Sequence, residues 1–463
     1  MGQNRLVFSD EGSTTDRKQT RGLQTMRRAT RFAVTAVAVT ALAGGLLAAG
    51  NVLGTPRGPA SSESAPGRPG GAMTDPLARS IAALQQELTR VPTKDASWAE
   101  LGLLYLQRAR STVDPGLYAR AEGAFAQSLA LRPVDNDLAL TGQASLAATR
   151  HDFAEALALT DQALAANPAS PTTYAVRVDA LVELGRYDEA QVALDRLLDL
   201  RPGTDAYSRA SYLFELRGDG ERAREAMQAA YDEATNGPDR SFASYFLGEL
   251  AWNAGDLDAA VVAYDQAVLE DPSSVPPLAG RAKVAAARGD VAGAVTGYRT
   301  AIDQLPLPYL LIELGELLES TGDLRGAEEQ YAVVRATQRL YAEGGQDVDT
   351  ELALFEADHG SPDAAIASAE RAYRKRPDSV LTQDAYAWAL HAAGRDAEAL
   401  PIARAAARTG LVRPTLQHHL GMIEAAAGDR AAAARALEAA LASNPAFSPL
   451  HAPRARTALE GLG

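Results

Sequence analysis

An alanine returns about every 34 residues along this chain. Ala121, Ala156, Ala190, Ala223, Ala260, Ala294, Ala327, Ala365, Ala399 and Ala433 are separated by 35, 34, 33, 37, 34, 33, 38, 34 and 34 residues. Self-similarity at that period marks a helical repeat array, whose units bury their apolar faces only by stacking on neighbours. It also sets where function is sought. Each unit contributes surface rather than a closed catalytic cleft, so the exposed residues of successive units carry the binding chemistry.

The unit is clearest in two consecutive stretches, SFASYFLGELAWNAGDLDAAVVAYDQAVLEDP and SVPPLAGRAKVAAARGDVAGAVTGYRTAIDQLP. Each reads as two helices joined by Gly-Asp. Gly255 and Gly289 suit the left-handed backbone at a helix C-terminus, and Asp256 and Asp290 can cap the next helix. Pro272 and Pro306 close the second helix, because proline cannot extend the N–H ladder. The recurrent alanine has a steric reason: two closely crossing helices need one small side chain at the contact, and alanine supplies it without loss of helix propensity.

With that alanine as position 20, the pattern resembles the tetratricopeptide repeat family. Position 8 is small in nearly every unit: Gly102, Ala144, Val178, Ser211, Gly248, Ala282, Gly315, Ala353, Ala387 and Gly421. Position 24 is aromatic at Phe125, Tyr264, Tyr298 and Tyr331, and position 32 is proline at 133, 168, 202, 272, 306, 377 and 445. Trp98 stands at position 4 of the first unit, with Leu101, Gly102 and Tyr105 at 7, 8 and 11. The resemblance implies an all-α fold: a right-handed solenoid of about ten helix pairs with capping helices at both ends. Three departures are local. The first unit carries about seven extra residues around Ser111 to Tyr118. The fourth and seventh lack the closing proline, and extended second helices or kinks are expected there.

Leu77, Ile81, Leu84 and Leu88 form one apolar stripe after Asp75-Pro76, which reads as a cap and first helical residue of a leading helix ending near Val91-Pro92. The stretch from His451 to Leu462 reads as the closing helix. The array is expected over 76–463 as one elongated unit.

Residues 1–32 are basic. Arg5, Arg17, Lys18, Arg21, Arg27, Arg28 and Arg31 against Asp10, Glu11 and Asp16 give the first 31 residues a net charge of +4, so the rest carries −18 of the total −14. An acidic array repels phosphate backbones, which argues against nucleic acid as partner. Residues 33–53 contain an uncharged run, AVTAVAVTALAGGLLAAG, after Arg27, Arg28 and Arg31. As a helix it spans about 27 Å, enough for a transmembrane anchor. The same segment also reads as a signal-peptide core with a small-residue cleavage pattern at Ala48-Ala49-Gly50, with Met26 as an alternative start. Either reading puts the array outside the cytoplasm of a bacterium, on a membrane or secreted. Residues 54–75 are rich in Pro, Gly and Ser and form a flexible linker. There is no cysteine, which excludes disulfides, thiol chemistry and lipid attachment to cysteine.

Nothing in the chain reads as a catalytic, metal or cofactor motif. The six histidines are spread over 300 residues, His418 and His419 are neighbours expected on different sides of one helix, and no H-E-x-x-H, phosphate-binding or nucleophile-elbow motif occurs. No cofactor is expected. The resemblance instead implies a concave groove lined by first helices at positions 2, 5, 9, 12 and 13. Carried onto this chain, those positions include Asp179, Tyr212, Glu215, Tyr245, Glu249, Trp252, Lys283, Ile312, Glu316, Glu319, Asp384, Trp388, His391, His418 and Met422. Carboxylates outnumber Lys283, and Trp252 and Trp388 fall in the same channel, so the groove is expected to take an extended protein or peptide segment with basic and apolar residues. The family's clamp for acidic chaperone tails needs Lys, Arg and Asn there, and this set is missing. The expected role is a non-enzymatic scaffold or assembly factor. The alternative is an accessory subunit of an envelope enzyme or transporter, bound through the convex face or the repeat edges.

Overall fold

The structure, a computed structural model, describes residues 76–463 apart from 113, 115 and 344. The expected linker, apolar run and basic N-terminus, with Asp75, lie outside the described residues. The fold is all-α, and the described residues hold no strand.

A leading helix, α1 (Pro76–Arg90), lays Ile81, Leu84 and the buried Leu88 on the first pair. Ten helix pairs follow: α2 (Asp95–Thr112) with α3 (Gly116–Leu131), α4 (Asp137–Thr149) with α5 (Phe153–Ala166), α6 (Pro171–Glu183) with α7 (Tyr187–Leu200), α8 (Thr204–Leu216) with α9 (Gly220–Glu233), and α10 (Gly237–Asn253) with α11 (Leu257–Glu270). The second five are α12 (Pro276–Ala287) with α13 (Val291–Gln304), α14 (Pro308–Ser320) with α15 (Leu324–Glu343), α16 (Asp349–His359) with α17 (Pro362–Lys375), α18 (Val380–Ala392) with α19 (Asp396–Ala407), and α20 (Pro414–Ala426) with α21 (Arg430–Ser443). The closing helix α22 runs His451–Leu462, as expected.

The repeat positions do the packing assigned to them. All ten alanines at position 20 are buried at 2% exposure or less. Small residues at position 8 of a unit, and at position 6 of the next, make room for position 24. A methyl group on Gly102 or Gly142 would strike the Phe125 ring, one on Gly248 or Gly280 the Tyr264 ring, and one on Gly315 the Tyr331 ring. Each aromatic thus fills a slot between its own first helix and that of the next unit. The turns behave likewise: Gly255 and Gly289 have φ of +73° and +84°, and Asp256 and Asp290 accept from the backbone N–H of Ala259 and Gly293.

The local departures resolve differently. The first unit's extra residues lengthen α2 to 18 residues. The seventh unit has the extended second helix expected of it, 20 residues in α15. In the fourth unit the expectation fails. The second helix α9 keeps the ordinary 14 residues, and the extra chain instead starts the next helix early at Gly237. Asn236 caps that helix by accepting from Asp239 N–H, and Pro238 occupies its first turn, so the segment reads as a start rather than an extension.

The period does not reveal the closure of the array on itself. Turns inside the second to fifth units touch the connections between units of the far half. The Asp347 N–H donates to the Arg150 carbonyl at 3.2 Å. The Tyr187 hydroxyl accepts from the Val380 N–H at 2.9 Å and Arg376 Nη1 meets Glu183 Oε2 at 3.2 Å, both across 193 residues. Arg413 reaches Glu215 across 198 residues, and Asn444 Nδ2 donates to the Trp252 carbonyl at 2.8 Å across 192. Val380, Leu411 and Leu416 join the apolar cluster of residues 144–216. A near-constant offset of a little under six units is one superhelical turn, so the second turn rests directly on the first along a continuous seam.

Candidate partner-binding surface

The inner wall is built by the first helices of the pairs, and the closing of the superhelix decides which of its residues stay open. Tyr245, Glu249, Trp252 and Lys283 form one group of contacts, and Glu316 and Glu319 form a second around His359, while Glu215 pairs with Arg413 and Asn253. Lys283 Nζ sits 2.8 Å from Glu249 Oε1 and 4.9 Å from the centre of the Trp252 ring. The Tyr264 hydroxyl donates to Glu249 at 2.6 Å, and the Tyr331 hydroxyl to Glu319 at 3.0 Å. His359 lies between Glu316 and Glu319, at 3.4 and 3.6 Å. Burial raises the Tyr245 and Tyr298 hydroxyls well above their usual range, with Glu249 and Glu313 adding to the shift, so both stay protonated donors.

Other projected residues are consumed by the fold. Asp179 is buried and holds the guanidinium of Arg209, Oδ2 to Nη2 at 2.7 Å, with the Arg209 side chain 1% exposed. Asp384 accepts from His419 at 3.0 Å. The two tryptophans expected as aromatic anchors are both largely covered, Trp252 at 6% exposed and Trp388 at 7%. Trp388 is enclosed by neighbouring rings. Its ring stacks on His419 at 4.1 Å, and its indole N–H donates to Asp358 at 2.9 Å. His391 stacks on the same tryptophan and pairs with Asp396. His418 is fully buried, Met422 packs under the closing helix, and Ile312 packs against the core of the sixth and seventh units.

Two expectations change here. The histidines are not scattered. His391, His418, His419 and His451 all pack around Trp388, at ring separations of 4.9, 5.7, 4.1 and 6.1 Å. His418 and His419, expected on different sides of their helix, both reach that tryptophan, because the helix inserts between the ninth unit and the closing helix. Burial pushes the His418 imidazole down to about 2, and the neighbouring His451 adds to the shift. Burial also disfavours a charged His451, but the Asp358 carboxylate outweighs it and raises that imidazole. Among the described residues no group of three ligating side chains is arranged to hold a metal ion. The wall is also less acidic than the projected positions imply. Arg209, Arg413, His359 and His419 come from positions outside the inner-surface set, or from the next superhelical turn, and pair with Asp179, Glu215, Glu316 and Asp384.

What remains open is a cavity of about 360 Å³ between the fifth to eighth units and the closing segment. Trp252, Lys283 and Glu316 meet there, facing the segment Pro445–Pro449 and α22. Sequence reasoning missed Glu313 in this wall. It sits at position 6, which faces the preceding unit and is not among the inner-surface positions, so nothing in the period pointed to it. Burial raises its carboxyl to about 7, with Glu249 and Glu316 opposing the relief given by Lys283.

Two matches to family models fall within the array. Models described as tetratricopeptide repeat match residues 147–211 and 217–275. The chain contains tetratricopeptide repeats. Arrays of these repeats are typically non-catalytic scaffolds that bind protein or peptide partners. Protein CTR9 homolog of Arabidopsis thaliana is 26% identical over 272 residues, 48% of this chain and 24% of that protein, so the chain spans about a quarter of the length of the curated relative it matches. Among solved structures, YrrB, described as a tetratricopeptide repeat protein with an unusual peptide-binding site, is 20% identical, with 40% of this chain and 95% of that one covered and a TM-score of 0.29. PilW, a type IV pilus biogenesis factor, is 18% identical, with 43% and 92% covered and a TM-score of 0.37. Human IFIT1 in a dimer with PPP-AAAA is 14% identical, with 79% and 89% covered and a TM-score of 0.42. These likenesses concern the repeat fold alone. No helix among the described residues is long and apolar enough to cross a membrane. The apolar run within 33–53, which carries the anchor and signal expectations, lies outside them.

Proposed function

We propose that the chain is a non-enzymatic protein-interaction scaffold that receives a partner segment at its inner surface, in the wall of the fifth to seventh units. One observation carries this reading: Trp252, Lys283 and Glu316 converge on a cavity of about 360 Å³ in the inner wall. The seam bars sideways entry along the second to fifth units. The segment therefore enters from the end of the superhelix beside α22 and is short, not a strand laid along the whole array. Basic and apolar residues suit it, because aromatics anchor and opposite charges steer encounter. Affinity capture with the full chain tests the reading. Trp252→Ala should lose the partners held by the wild type, and retention of all of them would reject the inner surface.

The convex reading has its own support. Val192, Val262 and Leu269, on the second helices α7 and α11, are 70%, 68% and 75% exposed. An accessory subunit docked there would be released by Val262→Lys and Leu269→Lys and would ignore Trp252→Ala. Delivery beyond a membrane by the apolar run, as an anchor or a cleaved signal, completes the proposal. Protease added to intact spheroplasts should then digest the array, and a protected array would reject export.

A further inference from the structure

The cavity beside the closing helix has a more particular chemistry than a general peptide groove. Its acceptors outnumber its free donors. Glu313 makes no ion pair among the described residues; its hydrogen bond is to the Tyr298 hydroxyl, and its nearest cation, Lys283, is committed to Glu249 at 2.8 Å and to the face of Trp252. Among the described residues Glu316 meets the imidazole of His359 at 3.4 Å and the Ser448 hydroxyl at 3.5 Å. His419, 2% exposed, lines the same cavity, and its Nδ1 lies 3.0 Å from both carboxylate oxygens of Asp384. A ring that donates Nδ1–H keeps Nε2 as an acceptor, and His419 Nε2 is buried without a partner. His451, also buried and lining the cavity, is neutralised by Asp358 at 3.5 Å. Arg456 sits at the exposed rim and donates to the Pro445 carbonyl.

We infer that this cavity is a receptor for one guanidinium group, the side chain of an arginine in the partner segment, with Glu313 as its counter-ion and Glu316 and His419 Nε2 as further acceptors. This inference rests on the inner-surface reading and narrows it to one side chain. A guanidinium is the fitting group because it is planar, carries only donors and presents five of them in a fixed fork. The cavity volume lies at the small end of ligand sites and suits one long side chain, not a folded element. Its apolar walls, Leu317 and Leu354, accept the methylene stem while the polar end reaches the carboxylates.

The site also makes binding depend on pH in a stated direction. With its carboxyl raised to about 7, Glu313 holds a proton in the empty site below that pH. A bound guanidinium favours the ionised form, so binding releases the proton and weakens as pH falls below 7, approaching tenfold per unit. The groups that face Glu313 are Lys283 of α12, Glu249 and Tyr245 of α10, Tyr264 of α11, Tyr298 of α13, Tyr309 and Glu316 of its own helix, Asp358 of α16, His419 of α20, and His451 and Arg456 of α22.

The test is calorimetric titration of the full chain with acetyl-Ala-Arg-Ala-amide, and with the same peptide carrying citrulline, a neutral isostere of arginine. The arginine peptide should bind saturably, and the citrulline peptide at least about tenfold more weakly. Glu313→Gln, checked for an unchanged melt, should remove that preference. Lowering the pH from about 8 to about 6 should weaken the arginine peptide for the wild type more than for Glu313→Gln. Equal binding of the two peptides, no saturable binding of either, or an undiminished preference in Glu313→Gln would overturn the inference. Loss of captured partners on Trp252→Ala, combined with any of those results, would leave the inner-surface scaffold standing and remove only the arginine receptor.

Discussion

The seam between superhelical turns can be tested by one methyl group. Gly218 lies in the turn of the fourth unit at φ +76°, and Gly289 lies in the equivalent turn of the sixth unit at φ +84°. Both backbones are left-handed, so alanine at either site carries the same strain, about 1–2 kcal/mol, offset by roughly 0.4–1 kcal/mol from the reduced freedom of the unfolded chain. The surroundings differ. A Cβ on Gly289 meets nothing within 4 Å, whereas one on Gly218 would come well under 3.0 Å from the Gly410 carbonyl oxygen and 3.1 Å from its carbon. That neighbour is backbone, on the next superhelical turn, and cannot rotate away. Overpacking against fixed atoms adds about 1–3 kcal/mol. Gly289→Ala is therefore expected to lose about 1 kcal/mol and Gly218→Ala about 2–4 kcal/mol. Urea denaturation reads the difference, and small-angle scattering reads its cause. If the turns part to accommodate the methyl group, Gly218→Ala has a larger radius of gyration than wild type and Gly289→Ala does not. Equal stabilities and identical scattering curves for the two variants would refute the stacked turns.

Other consequences follow from buried charge. Asp179→Ala leaves the Arg209 guanidinium, 1% exposed, without its carboxylate; the expected loss is about 3–5 kcal/mol in urea denaturation, and Arg209→Met in the same chain should recover much of it. The His418 imidazole is held neutral in the fold at about 2 against 6.5 when unfolded. Below 6.5 the unfolded chain gains a proton that the fold cannot take, so stability falls by up to about 1.4 kcal/mol per pH unit on acidification. His418→Leu should flatten that acid limb, and an identical limb in the variant would exclude His418 as its source.

What the sequence reveals here is set by the range of the interaction. The alanine at position 20, the small residue at position 8 and the aromatic at position 24 meet within one unit or the next. A period of 34 therefore carries their contact directly, as for Phe125 against Gly102. The pairing of Lys283 with Glu249 is local in the same way, since Lys283 reaches back only one unit. The seam was not. The offset of 192 to 198 residues depends on a small rotation accumulated over nearly six units, and no single unit encodes it. Several misplaced expectations lie on or near that closure. Arg413 neutralises Glu215 from the next turn, and the ninth unit, tenth unit and closing helix enclose Trp388 among four histidines.

The closure also changes what kind of repeat protein this is. In an open solenoid each unit touches only its neighbours, and stability approximates a sum of unit and nearest-neighbour terms. Here Glu183 of the third unit holds Arg376 where the eighth unit meets the ninth, and Asn444 at the end of the tenth holds the carbonyl of Trp252 in the fifth. Removing the last units from an open array would trim the end and leave the rest intact. In this array it would bare the turn edges of the third to fifth units, including Leu216 and the buried face that receives Val380 and Leu411. The same loss would open the arginine cavity, because α22 and the Pro445–Pro449 segment form one of its walls. Binding at the inner wall and cohesion of the two superhelical turns therefore depend on the same closing segment, and a ligand that bridges Glu313 and α22 would strengthen the closure by mass action.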